Sequence, residues 1–320
     1  MRQGSLPYQM LKKETPSMMI RSSQAVKKQH YTKRDYQAFL YLLPWIIGIL
    51  ALQLYPFFSS LFYSFHDYIV GGKMTFVGID NYVKLLTKDR DFWNSLKVTL
   101  QFAVYTVPGK LILALAVAVF LNRNIRGINL IRTLYYIPSL FGGSVAIALL
   151  WRLMFMDNGM INSMLSALGL DTVHFLGTRG IAMRVVCGLE IWQFGSSMVM
   201  FLAALKNVPS SLYEAAEIDG AGWWKRFFHI TIPQISPIIF FTLLNQTIQE
   251  LQNYTSPAII TTGGPRKSTY VLGMFLYQEG FAYFHMGYAS AISWIEFIVI
   301  LILTLVIFGS SRFWVHYSDE

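Results

Sequence analysis

The chain has 320 residues, of which 54% are hydrophobic and 13% are charged. Soluble domains typically carry about 25% charged residues, so this composition excludes an ordinary soluble domain and indicates a protein embedded in a lipid bilayer. The net charge is +9, and eight of the 26 basic residues lie in the first 34 positions. A basic segment beside a membrane helix indicates topology rather than nucleic-acid binding. The single cysteine, Cys187, excludes an internal disulfide.

Six long apolar runs follow the basic segment. A bilayer core about 30 Å thick requires about 20 mostly apolar residues in a helix, and each run is long enough. The predicted spans cover about residues 39–65, 98–121, 134–155, 181–205, 235–260 and 287–308. These spans divide the chain into a basic tail (1–37), a transmembrane domain (38–310) and a short second tail (311–320).

Basic residues in the short loops predict the orientation, because loops on the cytoplasmic side of a membrane carry more Lys and Arg. With the N-terminus inside, the cytoplasmic segments hold 15 Lys and Arg, and the outer loops hold seven. This difference predicts that both tails are cytoplasmic. It also places residues 206–233, between the fourth and fifth spans, in the cytoplasm.

The second and fourth spans each carry one ionisable residue near mid-membrane, Lys110 and Glu190. Ionisable groups are costly at this depth, so they pair with one another or serve a function. An ion pair between Lys110 and Glu190 is the simpler expectation. The alternative is that Lys110 contacts a carboxylate on a transported solute.

Residues 206–233 contain a predicted amphipathic helix. Ser211 followed by Glu214 fits a capping box, and Gly220 supplies the backbone freedom that ends a helix. From Glu214 the sequence reads E-A-A, three residues, Gly220, nine residues and then I-T-I-P. A short helix between membrane spans needs a partner for its apolar side, and this partner is either lipid or another protein.

This spacing resembles the coupling loop in permease subunits of ATP-driven (ABC) importers. The resemblance implies a cytoplasmic coupling helix that docks on an ATPase made as a separate protein. The residues implied in this contact are Glu214, Ala215, Ala216, Asp219 and Gly220. Residues 263–269 (GGPRKST) lack the spacing of a phosphate-binding loop. We therefore expect no catalytic residue, metal or cofactor in this chain, with ATP and Mg bound by the partner ATPase.

The fifth span is unusually polar. Residues three and four apart share one face of a helix, and amide and carboxylate groups can form paired hydrogen bonds with sugar hydroxyls. We therefore predict a solute path here, although such groups also bond neighbouring helices in membrane bundles. The predicted path residues are Asn245, Gln246, Gln249, Glu250, Asn253 and Tyr254, together with Lys110 and Glu190.

Further segments resemble the carbohydrate-uptake branch of these importers, which includes the maltose and glycerol-phosphate permeases. They are FVGIDNY at 76–82, PSSLYEAAEIDGA at 209–221 and TGGP at 262–265. The resemblance covers about residues 38–308 and identifies 38–310 as a permease domain. The long basic tail resembles members that carry complex oligosaccharides, including acidic ones.

The resemblance implies an all-α integral membrane protein with about six transmembrane helices, similar to type I ABC importers. The implied function is import of an oligosaccharide, with acidic fragments of the alginate or pectin type among the candidates. The implied partners are a second homologous permease subunit, a dimer of ATP-binding subunits, an extracytoplasmic solute-binding protein and the bacterial cytoplasmic membrane. Alternatives are a permease for another small polar solute such as glycerol phosphate, and an ion-coupled carrier or channel.

Overall fold

The computed structural model describes residues 33–123 and 127–316. The described residues do not include most of the predicted basic tail, residues 317–320 or Arg126. Arg126 is one of the basic residues counted for the predicted orientation. The described chain is helical apart from one two-stranded antiparallel sheet, β1 (His66–Asp67) and β2 (Thr75–Phe76). The predicted all-α membrane fold is therefore confirmed.

The helices within the described residues follow one another in short succession. They are α1 (Lys33–Ile49), α2 (Tyr55–Ser64), α3 (Asp80–Thr87), α4 (Arg90–Leu121), α5 (Ile128–Leu140), α6 (Val145–Phe155), α7 (Met160–Ala167), α8 (Ile181–Trp192), α9 (Gly195–Lys206), α10 (Ser210–Ile218), α11 (Trp223–Arg226), α12 (Ile232–Leu251), α13 (Thr255–Ile260), α14 (Leu272–Tyr277) and α15 (Met286–Trp314). Three π-helical turns join consecutive helices: Leu50–Leu54, Phe227–Thr231 and Gln278–Ala282. The chain divides into two compact units, one ending at Tyr55 and the other beginning at Pro56.

Within the part of the chain that the structure describes, four helical segments are long and apolar enough to cross a membrane, and two bent helix pairs bring the number to six if each pair is one span. The four are Leu40–Ser64, Arg90–Leu121, Trp223–Leu251 and Met286–Trp314. The predicted third span is instead broken between α5 and α6, where the described chain bends by 98°. The predicted fifth span ends early, at Leu251 rather than near residue 260, because α13 forms a separate helix.

Helix α4 is the centre of the second unit, where it packs against α8, α9 and α12. Its Ala114 and Ala118 are fully buried. Small residues let helix backbones approach closely, which is how helices associate where no water drives them together. Phe201 of α9 and Ile235 of α12 fill the space beside these alanines. This packing holds the polar parts of α4, α8 and α12 beside one another.

Gly195, the first residue of α9, lies directly against α5. A Cβ atom at this position would lie 2.6 Å from the Tyr135 carbonyl oxygen and 2.6 Å from Ser139 Oγ. No side chain fits at such distances without movement of the backbone, so glycine is required for this approach. The contact fixes the end of α5 against the α8–α9 bend.

Candidate functional site

A polar cavity of about 330 Å³ lies among α4, α5, α8 and α12. Most of its walls are amide, hydroxyl and charged side chains, which is unusual for the interior of a membrane protein. The lining residues are Lys110, Ser139, Gly142, Gly143, Glu190, Gln193, Ser196, Gln249, Glu250, Gln252, Asn253, Tyr254 and Thr255. We call this the solute cavity.

A buried ion pair forms one wall of the solute cavity. Lys110 Nζ lies 3.1 Å from Glu250 Oε1, and the two side chains are 7% and 2% exposed. Asn253 Nδ2 lies 3.5 Å from the second Glu250 oxygen. The predicted pairing of Lys110 with Glu190 is therefore wrong. Helix α12 packs against α4 and brings Glu250 to the lysine, while Glu190 accepts a hydrogen bond from the Ser256 hydroxyl.

Six of the eight predicted path residues line the solute cavity: Lys110, Glu190, Gln249, Glu250, Asn253 and Tyr254. The structure places the other two elsewhere. Asn245 is half-buried and its amide donates to the Phe241 carbonyl oxygen at 2.9 Å. Gln246 is buried in the bundle and is absent from the cavity lining. Gln249, Glu250 and the residues just after α12 thus meet at one cavity, and their role as a solute path stays a prediction.

Sequence reasoning missed the lining residues that lie where helices end or bend. Gly142 and Gly143 lie at the bend between α5 and α6, and Gln193 lies between α8 and α9. Their positions in the cavity depend on the two bends, which helical periodicity does not predict. The available signal is the Gly-Gly pair itself, since paired glycines inside an apolar run mark a turn.

Tyr254 lies at the edge of the solute cavity, just beyond the end of α12. Its ring lies against that of Tyr277, with centroids 5.2 Å apart. A tyrosine phenol is protonated at neutral pH, so Tyr254 can donate a hydrogen bond to a solute.

The second candidate region is the segment of residues 206–233, which we call the coupling segment after the resemblance described above. Helix α10 begins at Ser210, directly after Pro209, and no side chain caps its N-terminus. The predicted capping box at Ser211 is therefore wrong, because Ser211 already lies inside the helix. The predicted end is correct: α10 ends at Ile218, and Gly220 has a φ of +74°, a conformation that favours glycine.

The predicted coupling residues lie on α10 and at its end. Glu214, Ala215 and Ala216 are helical, while Asp219 and Gly220 follow the last turn. The apolar surface of this segment is uncovered, since Ile218 is 88% exposed and Trp224 is 67% exposed. The segment is therefore a short helix whose apolar surface no described residue covers.

Two side-chain contacts attach α10 to the beginning of the Trp223–Leu251 span. The Tyr213 hydroxyl lies 2.9 Å from Thr231 Oγ1. Arg226 Nη1 donates to Glu217 Oε2 at 3.0 Å. Thr231 leads directly into α12, which carries Gln249 about 27 Å further along at 1.5 Å per residue. One helical segment therefore runs from the residues that contact α10 to the solute cavity.

The family model described as "Binding-protein-dependent transport system inner membrane component" matches residues 36–316. The chain belongs to this family. It is therefore an inner-membrane permease component of an ABC transporter, and the family component is not itself catalytic. The resemblance inferred from the coupling segment is confirmed at the level of the family.

Relatives in other organisms agree with this assignment. The chain is 42% identical to "Probable ABC transporter permease protein YesP" of Bacillus subtilis (strain 168), over 92% of this chain and 97% of that protein. It is 33% identical to "Arabinooligosaccharides transport system permease protein AraP" of the same strain, over 84% and 86%. It is 32% identical to "Trehalose/maltose transport system permease protein MalF" of Thermococcus litoralis, over 86% and 93%.

A solved structure shares the fold. It is a chain of a bacterial alginate ABC transporter, crystallised in complex with an alginate pentasaccharide-bound periplasmic protein. The TM-score is 0.75 at 26% identity, and the match covers 88% of this chain and 95% of that one. This match confirms the predicted type I importer-like permease architecture.

Proposed function

We propose that this sugar-transporter permease translocates an oligosaccharide through the solute cavity. The observation that carries the proposal is the convergence of an ammonium group from α4, a carboxylate from α8, and amide and carboxylate groups from α12 and the residues after it on one cavity. Sugar hydroxyls both donate and accept hydrogen bonds, and Gln249, Gln252 and Asn253 offer both donors and acceptors. The relatives named for arabinooligosaccharide and trehalose or maltose transport support the same class of solute.

The charges of the cavity bear on the choice between neutral and acidic oligosaccharides. The one lysine in the lining is already paired with Glu250, and Glu190 adds a further carboxylate. The lining thus carries two carboxylates against one lysine, a charge balance that disfavours a uronate group. This half of the path therefore favours uncharged hydroxyls, and an acidic solute of the alginate or pectin type would depend on cations from the partner permease.

The coupling segment would connect transport to ATP. In this proposal both tails are cytoplasmic, and Glu214, Ala215, Ala216, Asp219 and Gly220 form the surface that docks on an ATPase subunit. ATP and Mg bind to a dimer of those subunits. A second homologous permease completes the path, and an extracytoplasmic binding protein delivers the sugar.

Alternating access follows from the connection between α10 and α12. Closure of the ATPase dimer would move α10, and the Tyr213–Thr231 and Glu217–Arg226 contacts would carry this movement into α12. Because the span is one helical segment, its movement tilts Gln249 and Glu250 as a rigid body. The cavity would then open alternately to the two sides of the membrane.

The test uses two amides on the cavity face and one outside it. In the complete transporter reconstituted in liposomes, Gln249→Ala with Asn253→Ala should raise the half-saturating oligosaccharide concentration about tenfold or more, as expected for two lost hydrogen bonds. Asn245→Ala is the matched control, because this amide lies on the same helix and bonds Phe241 instead. Wild-type uptake by the double variant would place the path elsewhere.

A further inference from the structure

A second cavity, which we call the α4–α11 cavity, lies between the end of α4 and the coupling segment. Its volume is about 440 Å³, and its walls come from α4, α9, α10, α11 and the Phe227–Thr231 turn. Of the described residues that line it, two are arginines and none is acidic. The solute cavity instead carries two carboxylates against one lysine. The two cavities therefore differ in the charge of the ligand that each can hold.

The α4 wall of this cavity changes from apolar to polar along the chain. Ala116, Val119 and Phe120 are three and one residues apart, so they share one face of the helix. They belong to the Arg90–Leu121 segment, which is long and apolar enough to cross a membrane. The helix ends about 8 Å beyond Ala116 at 1.5 Å per residue, and Arg123 follows that end. A ligand that fills the cavity must therefore be apolar at one end and polar at the other.

Two guanidinium groups line the α4–α11 cavity. The Arg123 guanidinium lies over the Phe120 ring, 6.0 Å from its centroid. Arg226 donates one hydrogen bond to Glu217, whose side chain is 75% exposed, so this ion pair is weak and leaves further N–H groups for a ligand. Arginine presents five N–H donors in a planar fork that matches the oxygens of a phosphate. The polar end of the ligand is therefore expected to be an anion of this kind.

Aromatic side chains surround Arg226 on α11. The Trp223 and Phe227 rings are stacked, with centroids 5.3 Å apart and planes 6° from parallel. Trp223 is 50% exposed and Trp224 is 67% exposed. Exposed tryptophans of membrane proteins concentrate at the boundary between lipid and water, and basic pockets between membrane helices at the cytoplasmic boundary bind anionic lipid headgroups. The composition of this wall thus fits the headgroup region of a bilayer.

We propose that the α4–α11 cavity binds an anionic phospholipid of the cytoplasmic leaflet, with its phosphate on Arg123 and Arg226 and its acyl chains along the apolar wall of α4. The inference rests on the proposed function for the cytoplasmic position of the coupling segment. A free phosphate would leave the apolar wall without a partner, and a soluble ATPase subunit would have to enter a membrane span to cover it. A zwitterionic lipid carries its own cation beside the phosphate, so it competes poorly for the two arginines.

A photoreactive lipid locates the site. The complete transporter is reconstituted in nanodiscs of phosphatidylcholine with a small fraction of phosphatidylglycerol that carries a diazirine near the start of one acyl chain. Illumination should label the α4 peptide that contains Ala116 and Phe120, and excess unmodified phosphatidylglycerol should abolish the labelling. Inorganic phosphate in the buffer should leave it unchanged. Competition by inorganic phosphate would show a site for the free anion, and labelling that excess phosphatidylglycerol does not reduce would show a nonspecific lipid contact. Either result would overturn the proposal.

Substitution of the arginines tests the contact with the headgroup. Arg123→Gln and Arg226→Gln should each lower the labelling about fivefold, the effect expected for one basic residue near an anionic lipid surface. Lys225→Gln is the matched control, since Lys225 is exposed on the same helix as Arg226 but does not line the cavity. It should change the labelling little. Equal losses in all three variants would show a diffuse attraction instead of a site, and recovery of the ATPase subunits with each variant verifies that the complex is assembled.

The labelling experiment separates this proposal from the proposed function. If the wild-type complex imports the oligosaccharide while the α4 peptide remains unlabelled, the function stands and the lipid site is wrong. If the peptide is labelled specifically but the complex imports no oligosaccharide, the lipid site stands and the solute assignment is wrong.

Discussion

The solute cavity and the coupling segment differ in how their polar groups are held. In the cavity, Lys110 and Glu250 are almost fully buried and satisfy one another within the chain. In the coupling segment, Glu217 is 75% exposed on its side chain and Ile218 is 88% exposed. The charged groups of the cavity are thus held by contacts within this chain, whereas the coupling segment leaves charged and apolar side chains exposed. Substitutions in the cavity should change the stability of the folded chain. Substitutions in the coupling segment should change the coupling between sugar and ATPase activity in the complete transporter.

Lys110→Met should produce the largest effect, because it leaves Glu250 buried without its cation. Removal of one partner of a buried ion pair typically costs about 3–5 kcal/mol. The measurement is the free energy of unfolding of the purified chain in detergent.

Two further variants make this result interpretable. Lys97→Met is the matched control, since Lys97 lies on the same helix α4 and is exposed, and it should change stability little. Lys110→Met combined with Glu250→Gln removes both charges and should recover most of the loss. If the single and double variants are equally unstable, the pair is not the source of the effect.

Gly195→Ala should produce the next largest effect. The added methyl group would lie 2.6 Å from the Tyr135 carbonyl oxygen, and overpacking of this kind typically costs about 1–3 kcal/mol. The measurement is the same unfolding experiment, together with uptake, because Ser139 and Ser196 of the cavity lie beside the contact.

Gly188→Ala is the matched control for this variant. A Cβ at Gly188 would lie 3.5 Å from the Trp151 ring, which is an ordinary contact, and alanine favours the helix by about 1 kcal/mol relative to glycine. Gly188→Ala should therefore be neutral or stabilising. Equal behaviour of the two alanine variants would contradict the close approach of α9 to α5.

Features set by local sequence could be predicted, whereas features set by the packing of helices could not. The spans and the cavity face of α12 follow from apolar length and helical spacing, which are local properties. The pairing of Lys110 with Glu250 rather than Glu190 depends on which helices pack together, and the predicted spans contain three carboxylates, the third being Glu296. The 98° bend after α5 and the missing cap at Ser211 are likewise results of packing around short segments, so periodicity alone predicts neither.

The smallest expected effect on stability is that of Tyr213→Phe in the coupling segment. It removes the hydrogen bond between Tyr213 and Thr231 without changing the ring. A single hydrogen bond contributes about 0.5–1.5 kcal/mol net, so the purified chain should remain folded. If this bond transmits movement from α10 to α12, the ratio of sugar-stimulated to basal ATPase activity in the complete transporter should nevertheless fall, by about threefold to tenfold for this range of energy.

Variants of Thr231 distinguish transmission from a local loss of stability. Thr231→Val removes the same hydrogen bond from the other side, and Thr231→Ser keeps the hydroxyl. If the bond is the connection, Thr231→Val should match Tyr213→Phe, the double variant should be no worse than either, and Thr231→Ser should behave as wild type. Additive losses in the double variant would mean that each residue acts separately. Movement would then have to reach α12 through the Glu217–Arg226 contact or through the backbone of the Phe227–Thr231 turn.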